Sequence, residues 1–151
     1  MTERSAITRQ IQREAAAIQD WLDGFYAADS ARPRRVVVGR TGEYLIVQAM
    51  PLPDGYRPDD VDLLILVDNF PSIPPIGLYV LNRGVVGVIA QIRQRMNAFQ
   101  NAAFHSAPSI EGYTWICYAY ADNRWKYNHA APHKGDNLRK FLAAFHSELK
   151  P

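Results

Sequence analysis

Cys117 is the residue with the clearest chemical potential in this sequence, because it is the single cysteine among 151 residues. One thiol cannot form an internal disulfide, and a metal site built from several thiolates is excluded. A thiolate is a good nucleophile near neutral pH, so an accessible Cys117 could receive an acyl group from an activated donor. Free cysteine is also among the most frequently buried residue types, and inert packing is therefore the alternative.

The histidines offer two further possibilities. With His105 or His129 as its base, Cys117 could be the nucleophile of a cysteine hydrolase, which requires a ring nitrogen within hydrogen-bond reach of the sulfur. His129 and His133 have a four-residue spacing and could join His105 and Cys117 in a zinc site. Pro132 argues against a regular helix at this position, so the two rings need not share a face. We therefore expect neither a metal nor another cofactor.

Composition favours one domain over residues 1–151, with 48% hydrophobic and 21% charged residues. A chain of this length can remove roughly 70% of its unfolded surface from water without a disulfide or a metal. The net charge of +2 is too small to indicate a nucleic-acid groove. No apolar run approaches the ~20 residues of a membrane span, and the charged N-terminus lacks a signal-peptide pattern. We expect a cytoplasmic protein with no nucleic-acid or membrane partner.

Charge is distributed unevenly along the chain. Residues 43–68 carry six acidic side chains against a single basic one, Arg57. Basic residues gather towards the C-terminus: Arg124, Lys126, Lys134, Arg139 and Lys140. A bipolar surface of this kind is better suited to protein partners than to phosphate backbones.

The elements that must position Cys117 follow from apolar periodicity and turn residues. Helical spacing predicts an amphipathic N-terminal helix from Ser5 to about Tyr26. Four short β-branched or aromatic runs joined by tight turns predict an antiparallel meander. The four runs are Arg35–Val38, Tyr44–Met50, Val61–Val67 and Ile76–Leu81. The predicted fold class is therefore α+β.

The C-terminal half returns to a helical period. The spacing predicts a helix over Val86–Phe104, a loop over His105–Gly112 and an apolar aromatic stretch over Tyr113–Tyr120 that contains Cys117. Gly135 and Asp136 indicate the start of a final helix. Its apolar stripe consists of Leu138, Phe141, Leu142, Phe145 and Leu149.

A proline-rich segment joins the third and fourth predicted strands. Six of the ten prolines lie between Pro51 and Pro75, and the segment ends in Phe70-Pro71-Ser72-Ile73-Pro74-Pro75. Proline restricts its own backbone and that of the preceding residue. We expect a stiff, extended linker.

The order of these features resembles the ubiquitin-conjugating enzymes. In that family a Tyr-Pro-x-x-Pro-Pro element joins the third and fourth strands of a meander. A His-Pro-Asn turn then precedes a Gly-x-Ile-Cys active site, and a tryptophan follows eight residues later. Here residues 70–75 match the proline element, and Ile116, Cys117 and Trp125 match the active-site segment. His105 is the candidate turn histidine, and Gly112 lies two residues further from Ile116 than in the family.

The resemblance covers nearly the whole chain and is closest to divergent prokaryotic members found in antiphage operons. The segment from Asn82 to Phe104 is an insertion that typical eukaryotic members lack. The resemblance implies a fold with an N-terminal helix, a four-stranded meander, an active-site loop with the cysteine, and a C-terminal helix. It also implies that Cys117 carries a ubiquitin-like protein, or the C-terminus of a nucleotidyltransferase of a CBASS operon, as a thioester. An activating enzyme would be a further partner, with Arg4, Arg9 and Arg13 as its docking residues.

The sequence departs from the family after His105, where Ser106-Ala107-Pro108 stands in place of Pro-Asn. The resemblance implies that the asparagine of this turn stabilises the negatively charged oxygen (the oxyanion) that forms during acyl transfer. One hydrogen-bond donor to that oxygen is worth on the order of 3 kcal/mol. Candidate donors are Ser106, Ser109, Tyr113, Asn123 and backbone amides of the loop. Asp122 and Asn123 occupy the family's gate position, which orients and deprotonates an incoming lysine. A catalytically silent module of the same fold that binds a ubiquitin-like protein or a peptide is the alternative function, beside the cysteine hydrolase.

Overall fold

A computed structural model of the chain describes residues 3–25, 32–75, 77–82, 86–96, 98–100, 107–118 and 124–150. Its elements are α1 (Glu3–Asp23), β1 (Arg35–Val38), β2 (Tyr44–Pro51), β3 (Asp60–Leu66), β4 (Gly77–Leu81), α2 (Val86–Arg93), β5 (Ala98–Gln100), β6 (Tyr113–Ile116) and α3 (Leu138–Glu148). The fold is α+β, with an N-terminal helix, an antiparallel sheet and a C-terminal helix. None of the described helices is both long enough and apolar enough to cross a membrane.

The sheet contains six strands in the order β1-β2-β3-β4-β6-β5, and all neighbours are antiparallel. The predicted four-strand meander is present, but the predicted strand count was wrong. The run Tyr113–Ile116 pairs with β4, with Trp115 opposite Tyr79. It therefore continues the sheet instead of entering a separate active-site loop.

The predicted helix over Val86–Phe104 was wrong beyond Arg93, where α2 ends. Its apolar periodicity comes from the first turns, since Val88, Ile89 and Ile92 are buried in the core. Further along, Phe99 belongs to β5. An apolar residue in a short edge strand can fit a helical period by chance.

Alternation along the strands gives the sheet two apolar faces. Leu63 and Ile65 point into the main core, which α1 and α3 cover, whereas Leu64 points to the other face. The predicted stripe of α3 is confirmed, because all five of its residues are fully buried in the main core. The sheet therefore lies between a helical layer and a second, smaller apolar cluster.

Glu14 joins the two terminal helices from inside this core. Although Glu14 is a charged residue of an amphipathic helix, only 4% of it is exposed. Its Oε1 accepts a hydrogen bond of 2.8 Å from the Leu138 N–H. The neighbouring Asn137 is the N-cap of α3 and accepts from the Lys140 N–H at 2.8 Å. Two side chains thus satisfy amides that the helix start leaves unpaired.

Gln19 of α1 closes the outer edge of β1. Its Nε2 donates to the Arg34 carbonyl at 3.0 Å, and its Oε1 accepts from the Val36 N–H at 3.0 Å. This side-chain amide makes the two hydrogen bonds that a neighbouring strand would otherwise make.

Candidate thiol site

Cys117 lies directly after β6, at the end of the second-outermost strand of the sheet. Trp115 and Cys117 contact the smaller apolar cluster, whereas Ile116 and Tyr118 pack into the main core. The thiol therefore continues the alternation of the strand beyond its last paired residue. Cys117 is partly exposed, so it is not a fully buried packing residue.

The Cys117 side chain packs against an apolar cluster on the outer face of the sheet. We call the four buried residues Leu64, Tyr79, Ala107 and Trp115 the outer cluster, and Cys117 packs against it. β3, β4, β6 and the segment that precedes the turn before β6 each contribute one of these residues. The thiol thus sits on ordered structure and keeps an open side, as acyl transfer requires.

The approach to β6 is fixed by Gly112 and Asn82. Gly112 has a φ of 83°, a left-handed conformation that favours glycine. Its carbonyl accepts from the Asn82 N–H at 2.8 Å, and the Asn82 Oδ1 accepts from the Thr114 hydroxyl at 2.6 Å. Gly112 therefore has a structural role, because its turn joins the start of β6 to the residue that follows β4.

Part of the segment from Asn82 to Phe104 lies at the same edge of the sheet. It supplies α2 and β5, and Ala98 of β5 pairs with Ile116, the residue before the thiol. Residues 83–85, 97 and 101–104 lie outside the described ranges. The described part of this segment therefore builds the strand beside the thiol.

The proline element contacts the segment that follows Cys117. The Trp125 Nε1 donates to the Pro71 carbonyl at 2.8 Å. Phe70 is buried, and its ring centroid lies 5.0 Å from that of Tyr127, edge to face. Pro71 and Trp125 are 54 positions apart in the sequence, and this hydrogen bond brings them together in the structure.

The proline element is turned, so the expectation of an extended linker was wrong. The Asn69 carbonyl accepts from the Ser72 N–H at 3.0 Å and from the Ile73 N–H at 3.3 Å. Proline fixes φ, which is compatible with a turn as well as with an extended chain.

Several predicted site residues lie outside the described ranges: His105, Ser106, Asp122 and Asn123. Of the other oxyanion candidates, Ser109 is exposed and Tyr113 is half-buried against the outer cluster. Burial raises the pKa of the Tyr113 hydroxyl, and the charges of Asp62 and Tyr44 add to this effect. The hydroxyl therefore remains a protonated donor at neutral pH.

His129 occupies a different part of the molecule from the thiol. Its ring lies edge to face on Tyr127, with centroids 5.0 Å apart. Across the described ranges, no histidine forms a hydrogen bond with Cys117, and no group of three or more His, Cys, Asp or Glu side chains could hold a metal ion. His133 lies in a short 3-10 helix over Pro132–Lys134, and no α-helix places it on one face with His129.

Comparison of the chain with protein-family models, with curated proteins and with solved structures finds no match.

Proposed function

We propose that this chain is a cytoplasmic acyl carrier of the ubiquitin-conjugating type, with Cys117 as the residue that forms the thioester. The observation that carries the proposal is the placement of the thiol: Cys117 is partly exposed at the end of β6 and packs on the buried outer cluster. The hydrogen bond from Trp125 to Pro71 adds support, because it joins two of the sequence elements on which the resemblance rests.

The reaction has two displacement steps at one acyl carbon. In the first, the Cys117 thiolate attacks the activated C-terminal carbonyl of a ubiquitin-like protein or of a nucleotidyltransferase. A thioester forms as the activating group leaves, either adenosine monophosphate or the thiolate of an activating enzyme. In the second, an amine attacks the thioester, the Cys117 thiolate leaves, and an amide is formed. The amine proton passes to a base, for which Asp122 is the sequence candidate, while Asn123 is a candidate for orienting the amine.

The partners follow from the same proposal. The carried protein is a ubiquitin-like protein or a nucleotidyltransferase, the acceptor is a lysine or another nucleophile of a target, and the setting is antiphage defence in bacteria. An activating enzyme would approach α1, where Arg9 and Arg13 are exposed.

Formation of the adduct tests the proposal directly. The chain is incubated with ATP, the activating enzyme and the candidate carried protein encoded beside it. Wild type should give an adduct that dithiothreitol releases, and Cys117→Ser should give one that resists dithiothreitol but not hydroxide. Cys117→Ala should give neither, while Glu111→Gln, a control on a nearby exposed side chain, retains the labile adduct. Absence of a labile adduct with every such partner contradicts the proposal.

A catalytically silent binding module is the second candidate, favoured by the absence of the Pro-Asn sequence after His105. Such a module would bind the ubiquitin-like protein without ATP, and Cys117→Ala would bind it as tightly as wild type. The two proposals therefore differ in whether the complex is covalent and depends on Cys117.

A further inference from the structure

A basic groove lies beside the start of α3, and Cys117 is not among the residues that line it. The groove has a volume of about 520 Å³, and Lys126, Lys134 and Lys140 line it together with His129 and Asp136. The lining therefore carries three lysines and a single carboxylate. Basic residues that the sequence showed only as a C-terminal excess converge here on one surface.

Two hydrogen bonds between Lys126 and Asp136 join the two chain segments that line the groove. The Lys126 N–H donates to the Asp136 Oδ2 at 2.6 Å, and the Asp136 N–H donates to the Lys126 carbonyl at 2.9 Å. A Cβ on Gly135 would lie 2.7 Å from the Lys126 carbonyl oxygen and from the Asn128 nitrogen. Because the two chain segments touch this closely, the backbones that carry Lys126 and Lys134 keep a fixed separation.

Two of the lysines are exposed and make no ion pair with the described residues: Lys126 and Lys134. Lys140 donates from its Nζ to the Gly135 carbonyl at 2.8 Å. The charges of Lys126 and Lys134 are therefore accessible to an anionic ligand.

The acidic segment over residues 43–68 differs from the groove, because Arg32 already neutralises part of its charge. The Arg32 guanidinium pairs with Asp60 at 3.3 Å and also with Asp62. The basic groove is therefore the better candidate for recognition of an external charge.

The hydrogen bonds made by the first amides of α3 indicate which kind of anion the groove fits. A phosphate is commonly held by free amides at a helix N-terminus, but the Leu138 N–H is bonded to Glu14 and the Lys140 N–H to Asn137. Two of the three amides of this first turn are therefore occupied. The charges that line the groove are ammonium groups on flexible stems, and lysine lacks the planar fork with which arginine clamps one oxyanion. Separate point charges spread along a groove suit separate carboxylates along an extended chain.

We infer that the basic groove binds an acidic peptide segment of a protein partner. The inference goes beyond acyl transfer and does not depend on it.

Fluorescence anisotropy with a labelled hexaglutamate peptide tests the inference, with hexaglutamine as the uncharged probe. Lys126→Gln combined with Lys134→Gln should weaken hexaglutamate binding about threefold to thirtyfold, from two exposed charge pairs. Both lysines are exposed, so the fold is retained. The matched control combines Arg35→Gln with Lys150→Gln, which removes the same charge from other exposed positions and leaves the affinity unchanged.

Three outcomes overturn the inference. Equal weakening by both double variants would show that net charge alone attracts the peptide. Equal binding of hexaglutamine would show that carboxylates are not recognised. Displacement of hexaglutamate by inorganic phosphate, at concentrations where acetate has no effect, would assign the groove to phosphate. Binding by Cys117→Ser is expected to equal that of wild type, so failure of acyl transfer and failure of this inference give different results.

Discussion

The Tyr79 hydroxyl donates a hydrogen bond to the Pro108 carbonyl, and this contact joins the sheet to the segment beside Cys117. Burial raises the pKa of Tyr79 to about 12, and the charge of Asp68 adds to this effect. The hydroxyl therefore remains a donor throughout the physiological pH range. Because Ala107 belongs to the outer cluster, the hydrogen bond holds part of the thiol's apolar support in place.

Tyr79→Phe should make Cys117 more reactive towards iodoacetamide. Loss of the hydroxyl leaves the Pro108 carbonyl without this donor, costs about 1 kcal/mol of stability, and loosens the segment over the outer cluster. Alkylation of the folded protein, followed by mass spectrometry, should then be severalfold faster than in wild type. Tyr113→Phe is the matched control, since its ring lies 6.5 Å from that of Tyr79 and its hydroxyl has no hydrogen bond to the described residues. Equal rates in wild type and both variants would contradict this prediction.

Trp125→Phe should lower the free energy of unfolding by about 1 kcal/mol or more, since the variant keeps an aromatic ring but loses the donor to Pro71. Urea titration measures this difference. Tyr127→Phe provides the comparison: it keeps the contact with Phe70 and removes a hydroxyl that has no hydrogen bond within the described structure. Its effect should stay within about 0.5 kcal/mol. If the two variants lose the same stability, the indole hydrogen bond is not what joins the proline element to this segment.

Glu14→Gln should flatten the dependence of stability on pH. Burial raises the pKa of Glu14 above its ordinary value of 4.5, against the opposing effects of the Leu138 N–H and Arg139. The folded protein thus retains a proton that the unfolded chain releases. The stabilising contribution is complete below pH 4.5 and is lost as the pH rises through the folded-state pKa.

Urea titrations between about pH 4 and pH 8 should therefore show the stability of wild type falling relative to Glu14→Gln as the pH rises. Glutamine keeps an oxygen for the Leu138 N–H, so the helix start is preserved. Glu148→Gln, on an exposed residue of α3, should run parallel to wild type. A wild-type stability that instead rises relative to Glu14→Gln with increasing pH would mean that folding stabilises the Glu14 carboxylate, and would contradict the prediction.

His146→Phe should remove a loss of stability in mild acid. Burial lowers the pKa of His146 from 6.5, and the charge of Lys150 lowers it further. The contribution of the neutral ring is present above pH 6.5 and is lost as the pH falls through the folded-state pKa. Phenylalanine keeps the edge-to-face contacts with Trp21 and Phe25.

Thermal melts near pH 5 and pH 7.5 should show a smaller drop in Tm for the variant than for wild type. His133→Gln, on an exposed histidine, should melt like wild type at both values.

Local signals predicted the elements that lie on a clear period. β1 was predicted with its observed bounds, and the buried stripe of α3 was predicted residue by residue. The short strand β5 could not be predicted, because three residues carry little periodicity and their partner, β6, follows after a long gap. Pairing across such a gap depends on the whole sheet and not on local propensity.

The burial of Glu14 did leave a signal in the sequence. It stands three residues after Ile11 and four before Ile18, on the buried face of α1, so its spacing alone could have indicated a buried carboxylate. The contact of Trp125 with Pro71 left no comparable signal, because it depends on how a turn and a later segment meet in space. The basic groove was visible in the sequence only as a C-terminal excess of basic residues, because its shape depends on how the segments around Lys126 and Asp136 pack together.

Gln19 has a consequence for how this protein behaves at high concentration. An unprotected outer strand invites another copy to pair with it and to continue the sheet from one molecule to the next. The single amide of Gln19 occupies the hydrogen-bonding groups of Arg34 and Val36 on that strand. One side chain of the N-terminal helix thus protects the start of β1 from pairing with a strand of another molecule.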